Sequence, residues 1–267
     1  MTALARWDAF LAQVEARHLH VRGDAEASAR QFIAEIAAGG DYQPLSNAIM
    51  HTVARLQDLE TMITDTWHAK ADDAITAEDG LDARDAAFAR GESLRHALEN
   101  ARDELEPRVF AELARQRFTH ALRQNRAVYC TACGAQLAAP ISFRAIDLPC
   151  ACGARSTFEP GELMRSVAAV GTHAIAQEAV VSQWRAMRAA ERRLHGIRPP
   201  RPLDVIRDVE KSQITYWWSY LAVRAKFEPE LGRDPAMEVR SRMEQWYRAH
   251  AEYEEAWVAA GRPRAAI

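Results

Sequence analysis

Every cysteine of this chain falls within 23 residues, as Cys130-Thr131-Ala132-Cys133-Gly134 and Cys150-Ala151-Cys152-Gly153, with sixteen residues between the two pairs. Each pair is followed by a glycine, which tolerates the positive φ of a tight turn, and such a turn aims backbone N–H groups and two thiolates at one cation. Two turns of this kind complete a tetrahedron of four thiolates and leave no position for water. A closed site is the signature of a structural ion, because catalytic zinc keeps an open position. One structural Zn2+ held by Cys130, Cys133, Cys150 and Cys152 is therefore expected. The same four thiolates also suit an iron–sulfur cluster. A redox Cys-x-x-Cys normally opens a helix, whereas Cys130 follows a strand-like run, and unmetallated core thiols would not be expected to cluster in pairs.

Around the cysteines, residues 127–129, 141–143 and 156–158 read as short strands. With the two turns, residues 127–160 resemble a zinc ribbon. The resemblance implies a small metal-bound β module and is silent on function, because ribbons serve many proteins. The second pair departs from the commonest spacing, being Cys-x-Cys.

On both sides of this segment the apolar period is helical. Leu4, Trp7, Leu11, Val14 and His18 form one stripe, and a second helix is expected after Asp24, ending at Gly39-Gly40. Pro44 opens a long helix through Leu45, Ile49, Val53, Leu56, Leu59, Ile63 and Trp67. Lys70 to Gly80 reads as a charged loop. Another helix starts near Leu81, with a break at Glu106-Pro107 and a continuation to about Arg126. After Pro160 one helix is expected to run to Gly196, then a proline-rich connector to Pro202. A further helix follows from Leu203 to about Glu228-Pro229, and the last, from Asp234-Pro235, carries Val239, Met243, Trp246, His250, Tyr253 and Trp257. The expected fold is mainly α, a bundle of seven or eight helices with an inserted β ribbon. The expected organisation is an N-terminal helical region 1–126, the ribbon 127–160, and a C-terminal helical region 161–267 packed with the first.

The net charge of -3 argues against a general polyanion binder. The chain start has no apolar run suited to a signal peptide, and no segment reaches the ~18 apolar residues of a membrane span. A cytoplasmic location is expected, where thiols stay reduced and two structural disulfides are disfavoured. Within the ribbon Arg144 and Arg155 balance Asp147 and Glu159. A ribbon that tracks phosphates should instead be basic. The densest basic run is Arg185, Arg188, Arg192, Arg193, Arg198 and Arg201, in which Arg185, Arg188 and Arg192 share one helical face. Residues 1–126 carry 15 basic and 21 acidic side chains, and residues from Gly161 onward carry 17 and 14. These opposite balances favour docking of the halves or head-to-tail self-association.

For catalysis, the most concrete constellation is His51 with Asp65 and His68 on one helix, Glu60 nearby, and His96 and Glu99 as a partner pair. The phosphate-loop, nucleophile-elbow, zinc-protease and dinucleotide motifs are absent from the sequence. Trp217 and Trp218 are neighbours about 100° apart on a helix, so both cannot sit at the centre of one narrow buried stripe, and aromatics of this kind favour interfaces. The sequence thus points first to a zinc-containing scaffold or adaptor whose contacts involve Trp217, Trp218, Arg185, Arg188 and Arg192. A nucleic-acid-binding regulator using the ribbon and the Arg185–Arg201 run is the alternative, and a metal-dependent enzyme around His51, Asp65 and His68 the second.

Overall fold

The computed structural model describes residues 1–124, 127–138, 141–198, 201–227 and 234–250, together with Val258 and Gly261. The fold is mainly α with two small antiparallel hairpins around the cysteines. The helices are α1 (Ala3–Ile36), α2 (Gln43–Thr66), α3 (Asp72–Asp79), α4 (Leu81–Asp103), α5 (Leu105–Gln124), α6 (Glu162–Ser166), α7 (Thr172–Ala179), α8 (Val181–His195), α9 (Leu203–Arg224) and α10 (Pro235–Ala249). A π turn, Trp67–Ala71, joins α2 to α3, and another, Val167–Gly171, joins α6 to α7. Read through these turns, the described residues form eight continuous rods, as the periodicity predicts. The chain divides into two compact units, Met1–Gln116 and Arg117–Ile267.

Several boundaries differ from the sequence reading, each for a physical reason. Asp24 does not cap a second helix: α1 continues through it, because Val21, Ala29, Ile33 and Ile36 extend the buried stripe without a break. Lys70 to Gly80 is not a loop. The Asp72 N–H reaches back five residues to the Trp67 carbonyl, the π-type bond that absorbs one extra residue, and α3 follows until Gly80 at φ 88° stops it. The break before α5 falls at Glu104, and Pro107 stands in the first turn of α5, where its missing N–H costs no helical bond. The single helix expected from Pro160 to Gly196 is interrupted by the second π turn and again at Val180, whose φ of -111° and ψ of 24° separate α7 from α8. Helix α9 ends at Arg224, and Asp234 caps α10 by accepting from the Met237 N–H. Pro199, Pro200, Glu228, Pro229, Tyr253 and Trp257 lie outside the described residues.

In unit 1, the core is Trp7, Leu11, Val14, Leu59, Ile63, Trp67, Ile75, Ala87 and Leu98, contributed by α1 to α4 and the first π turn. The acidic end of α3 has a defined task there. Glu78 accepts from the Ala3 N–H at 2.7 Å and Asp79 from the Leu4 N–H at 3.2 Å, so two carboxylates meet the positive end of α1. In unit 2, α9 is packed by α7, α8 and α10, with Ile206, Val209, Tyr216, Tyr220 and Leu221 facing Met187, Leu194, Val239, Met243 and Tyr247. A smaller cluster of Ala121, Leu163 and Met164 with Phe118 and Phe143 anchors the ribbon to its flanking helices.

Candidate metal centre

The ribbon consists of β1 (Val128–Tyr129) paired with β2 (Gln136–Leu137), and β3 (Ile146–Pro149) paired with β4 (Arg155–Phe158). The expected strand at 141–143 is absent. That segment bends instead, turning Phe143 onto Phe118 at 5.9 Å, and the strand forms at Ile146–Pro149, where Leu148 is buried.

The two turns share one plan at two lengths. In the first, the Cys130 N–H bonds the Ala135 carbonyl and the Gly134 N–H returns to the Cys130 carbonyl, four residues back. In the second, the Cys150 N–H bonds the Ala154 carbonyl and the Gly153 N–H returns to the Cys150 carbonyl, three residues back. Removing one residue between the cysteines thus shortens the turn by one step and preserves its closure. Gly134 at φ 71° and Gly153 at φ 87° hold the left-handed positions that a Cβ would strain. The Thr131 N–H also donates to the buried Ser156 hydroxyl on β4 at 3.2 Å, tying the turns together.

All four sulfur atoms lie within 4.8 Å of one another, with Cys130–Cys152 and Cys133–Cys150 at 3.6 Å. Zn–S bonds of about 2.3 Å in a tetrahedron set sulfur separations of about 3.8 Å, so the donor set fits a single ion of this kind. Electrostatics point the same way. N–H groups of Cys133 and then Ala132 pull the Cys130 thiol down to about 6. At Cys133 the Ala135 N–H also pulls down, but the thiols of Cys150, Cys152 and Cys130 outweigh it and the group is pushed up to about 12. One thiolate is welcome in this space and further ones repel it, a conflict that a divalent cation removes. Cys130 is buried, Cys150 half-buried, and Cys133 and Cys152 exposed. Among the described residues this is the one cluster of metal-ligand side chains at metal-holding distances.

The other sequence candidates do not converge. His51, Asp65 and His68 are exposed, and His51 and His68 lie 17 residues apart along α2 and its π turn, about 25 Å at the helical rise. His96 and Glu99 face Arg95, whose guanidinium also bonds Glu92 and already supplies the positive charge. In the basic run, Arg185 is exposed on α8, Arg188 pairs with Glu191 at 3.3 Å over the Trp184 ring, Arg192 is half-buried, and Arg201 donates to the Leu194 carbonyl. Trp217 and Trp218 are both half-buried against the unit 2 core, whose stripe centre is taken by Tyr216 and Tyr220, and Arg242 lies 4.9 Å over Trp217.

Two polar clusters were not legible as sites. In unit 1, His18 on α1, 1 % exposed, faces Glu60 of α2 at 3.4 Å, and Arg102 of α4 bonds the other Glu60 oxygen. The signal was present, since Glu60 stands four residues after Leu56 and three before Ile63, on the apolar face. In unit 2, the Tyr220 hydroxyl shares a hydrogen bond with His173 Nδ1 and accepts from Arg224. Desolvation, then the charges of Arg224 and Arg242, hold the His173 imidazole below the usual histidine range, favouring its neutral form.

In comparisons with known proteins, no family model, no curated protein and no solved structure matches this chain. None of the described helices is long and apolar enough to cross a membrane.

Proposed function

We propose that Cys130, Cys133, Cys150 and Cys152 bind one zinc ion as a structural staple, and that the chain is a non-enzymatic zinc-containing scaffold or adaptor in a cytoplasmic assembly. The observation that carries the metal reading is the convergence of all four thiols from two differently spaced turns onto one ion-sized space. Four thiolates complete the ion's coordination, so its role is to hold β1–β2 against β3–β4 rather than to activate water. The adaptor reading draws on the separation of charge between the two halves of the sequence and on the half-buried Trp217 and Trp218, with Arg242 of α10 over the Trp217 ring. The neutral ribbon, and the engagement of Arg188 and Arg201 within their own unit, favour protein contacts over a nucleic-acid surface.

Elemental analysis of tag-free protein tests the first part: one zinc per chain is expected, and a metal-free chain with four free thiols would overturn it. Affinity purification from the native cell at low and high salt tests the second. A stoichiometric protein partner or a second copy of this chain retained at both salts is expected, while nucleic acid released steeply with salt would replace the adaptor by a nucleic-acid regulator.

A further inference from the structure

The four thiols are not equally reachable, and this asymmetry gives the centre a direction of attack. Cys130 is 3 % exposed and Cys150 half-buried, whereas Cys133 and Cys152 are exposed, so each turn offers one reachable thiol. Cys133 Sγ stands 3.6 Å from Cys150 Sγ of the other turn, and Cys152 Sγ stands 3.6 Å from Cys130 Sγ. Both short contacts run between the two turns rather than within one.

Resting on the zinc reading above, we propose that the centre is a peroxide-sensitive switch in which an exposed thiol, Cys133 or Cys152, is oxidised first and is resolved across the turns, by Cys150 or Cys130 respectively, ejecting the ion and replacing it by a disulfide between the two hairpins. Written for the Cys133–Cys150 pair, the Cys133 thiolate attacks one peroxide oxygen, breaking the O–O bond and giving a sulfenic acid and hydroxide. The Cys150 thiolate then attacks the sulfenic sulfur, the S–S bond forms, and a second hydroxide leaves. Two electrons pass from the thiolates to the peroxide, and two protons from solvent turn both hydroxides into water. Zinc loses two of its four ligands in this step. The other cross-turn pair then remains and can form the second bridge with another peroxide equivalent, because the loops 130–152 and 133–150 are nested. A bridge within Cys150-Ala151-Cys152 would have to close the tight turn on itself, breaking the Gly153-to-Cys150 bond that shapes it.

The experiment uses the full wild-type chain, first with its metal content measured and then titrated with hydrogen peroxide. Released zinc is read with a chromogenic chelator, free thiols with a thiol reagent, and the bridge by mass spectrometry of a non-reduced digest. Loss of two thiols per zinc released, a first bridge between the turns (Cys133–Cys150 or Cys130–Cys152), and recovery of both on adding dithiothreitol with zinc are expected. Zinc retained after two thiols are lost, a first bridge of Cys130 to Cys133, or accumulation of sulfinic acid without a bridge would each overturn the switch. The same digest on metal-stripped protein separates the two ideas. A chain already purified without zinc that still forms a bridge between the turns sinks the zinc reading and keeps the thiol pairing; a bridge within one turn sinks the pairing whatever the metal.

Discussion

At the scale of single residues, unit 1 depends on how closely α4 approaches α1. The Trp7 indole N–H donates to the Ala87 carbonyl at 3.1 Å, and its ring lies against Trp67 and Phe10, so the indole has little room to shift. One turn on from Ala87, Gly91 leaves space for that ring: a Cβ there would stand 2.7 Å from Trp7 Cζ2. Alanine in a helix normally gains about 1 kcal/mol over glycine, whereas forcing extra volume into a packed core costs about 1–3 kcal/mol. The packing cost wins because the indole is held at both its nitrogen and its faces. Gly91→Ala should therefore lower the urea midpoint of unit 1. In a Trp7→Phe background the same change should be neutral or stabilising, a reversal that a double-mutant cycle reads directly.

Elements were legible in the sequence wherever one apolar stripe ran over several turns, and less so where a tertiary partner decided the ends. The stripes of α1 and α2 are in the expected places, and so are the two cysteine turns, because glycine at positive φ and paired thiols are local signals; in α9 and α10 the buried line runs through Tyr216, Tyr220 and Tyr247, leaving Trp218 and Trp246 half-buried. Asp72, Asp73, Glu78 and Asp79 look like loop chemistry when their partners are unseen. Their helix exists because Ile75 is fully buried and the two carboxylates that end it satisfy N–H groups of α1, 75 residues away. The pairing of Glu60 with His18 and Arg102 was hidden for the same reason, since each charge lies on a different helix. Replacing Glu78 and Asp79 together by alanine should leave the amides of Ala3 and Leu4 without acceptors. Hydrogen exchange at the first turn of α1 should then speed several-fold while the middle of the helix is unaffected. The Arg6 guanidinium, then the Ala3 N–H, hold the Glu78 carboxyl below its ordinary 4.5. Its contribution is thus complete above that value and is lost as pH falls through the lower folded value, so acid should loosen the same turn in the unmodified chain.

For the whole molecule, the question is how far the metal's influence extends. The largest core cluster described in unit 1 draws on residues between Ala3 and Leu98, and the buried apolar residues of α5 within that unit, such as Leu105 and Ala111, add to its core; neither set contains a cysteine. The ribbon is the opposite case. Its strands are two to four residues long, and its buried apolar side chains include little beyond Cys130, Leu148 and Phe158. Isolated two-stranded hairpins are marginal in water, so a module of two such hairpins needs a cross-link in place of a core. Chelation under reducing conditions should therefore remove amide protection from 127–160 first, starting with the Cys130 and Cys150 N–H groups that close the turns. The Phe118, Phe143, Leu163 and Met164 cluster that seats the ribbon should loosen with it, and added zinc should restore both. Exchange mass spectrometry on the full chain reads this segment by segment, with α1, α2 and α4 expected to keep their protection throughout. Unchanged exchange across the ribbon after verified metal loss would mean that those few apolar contacts suffice, and the four thiolates would then have to be explained by something other than holding the hairpins together.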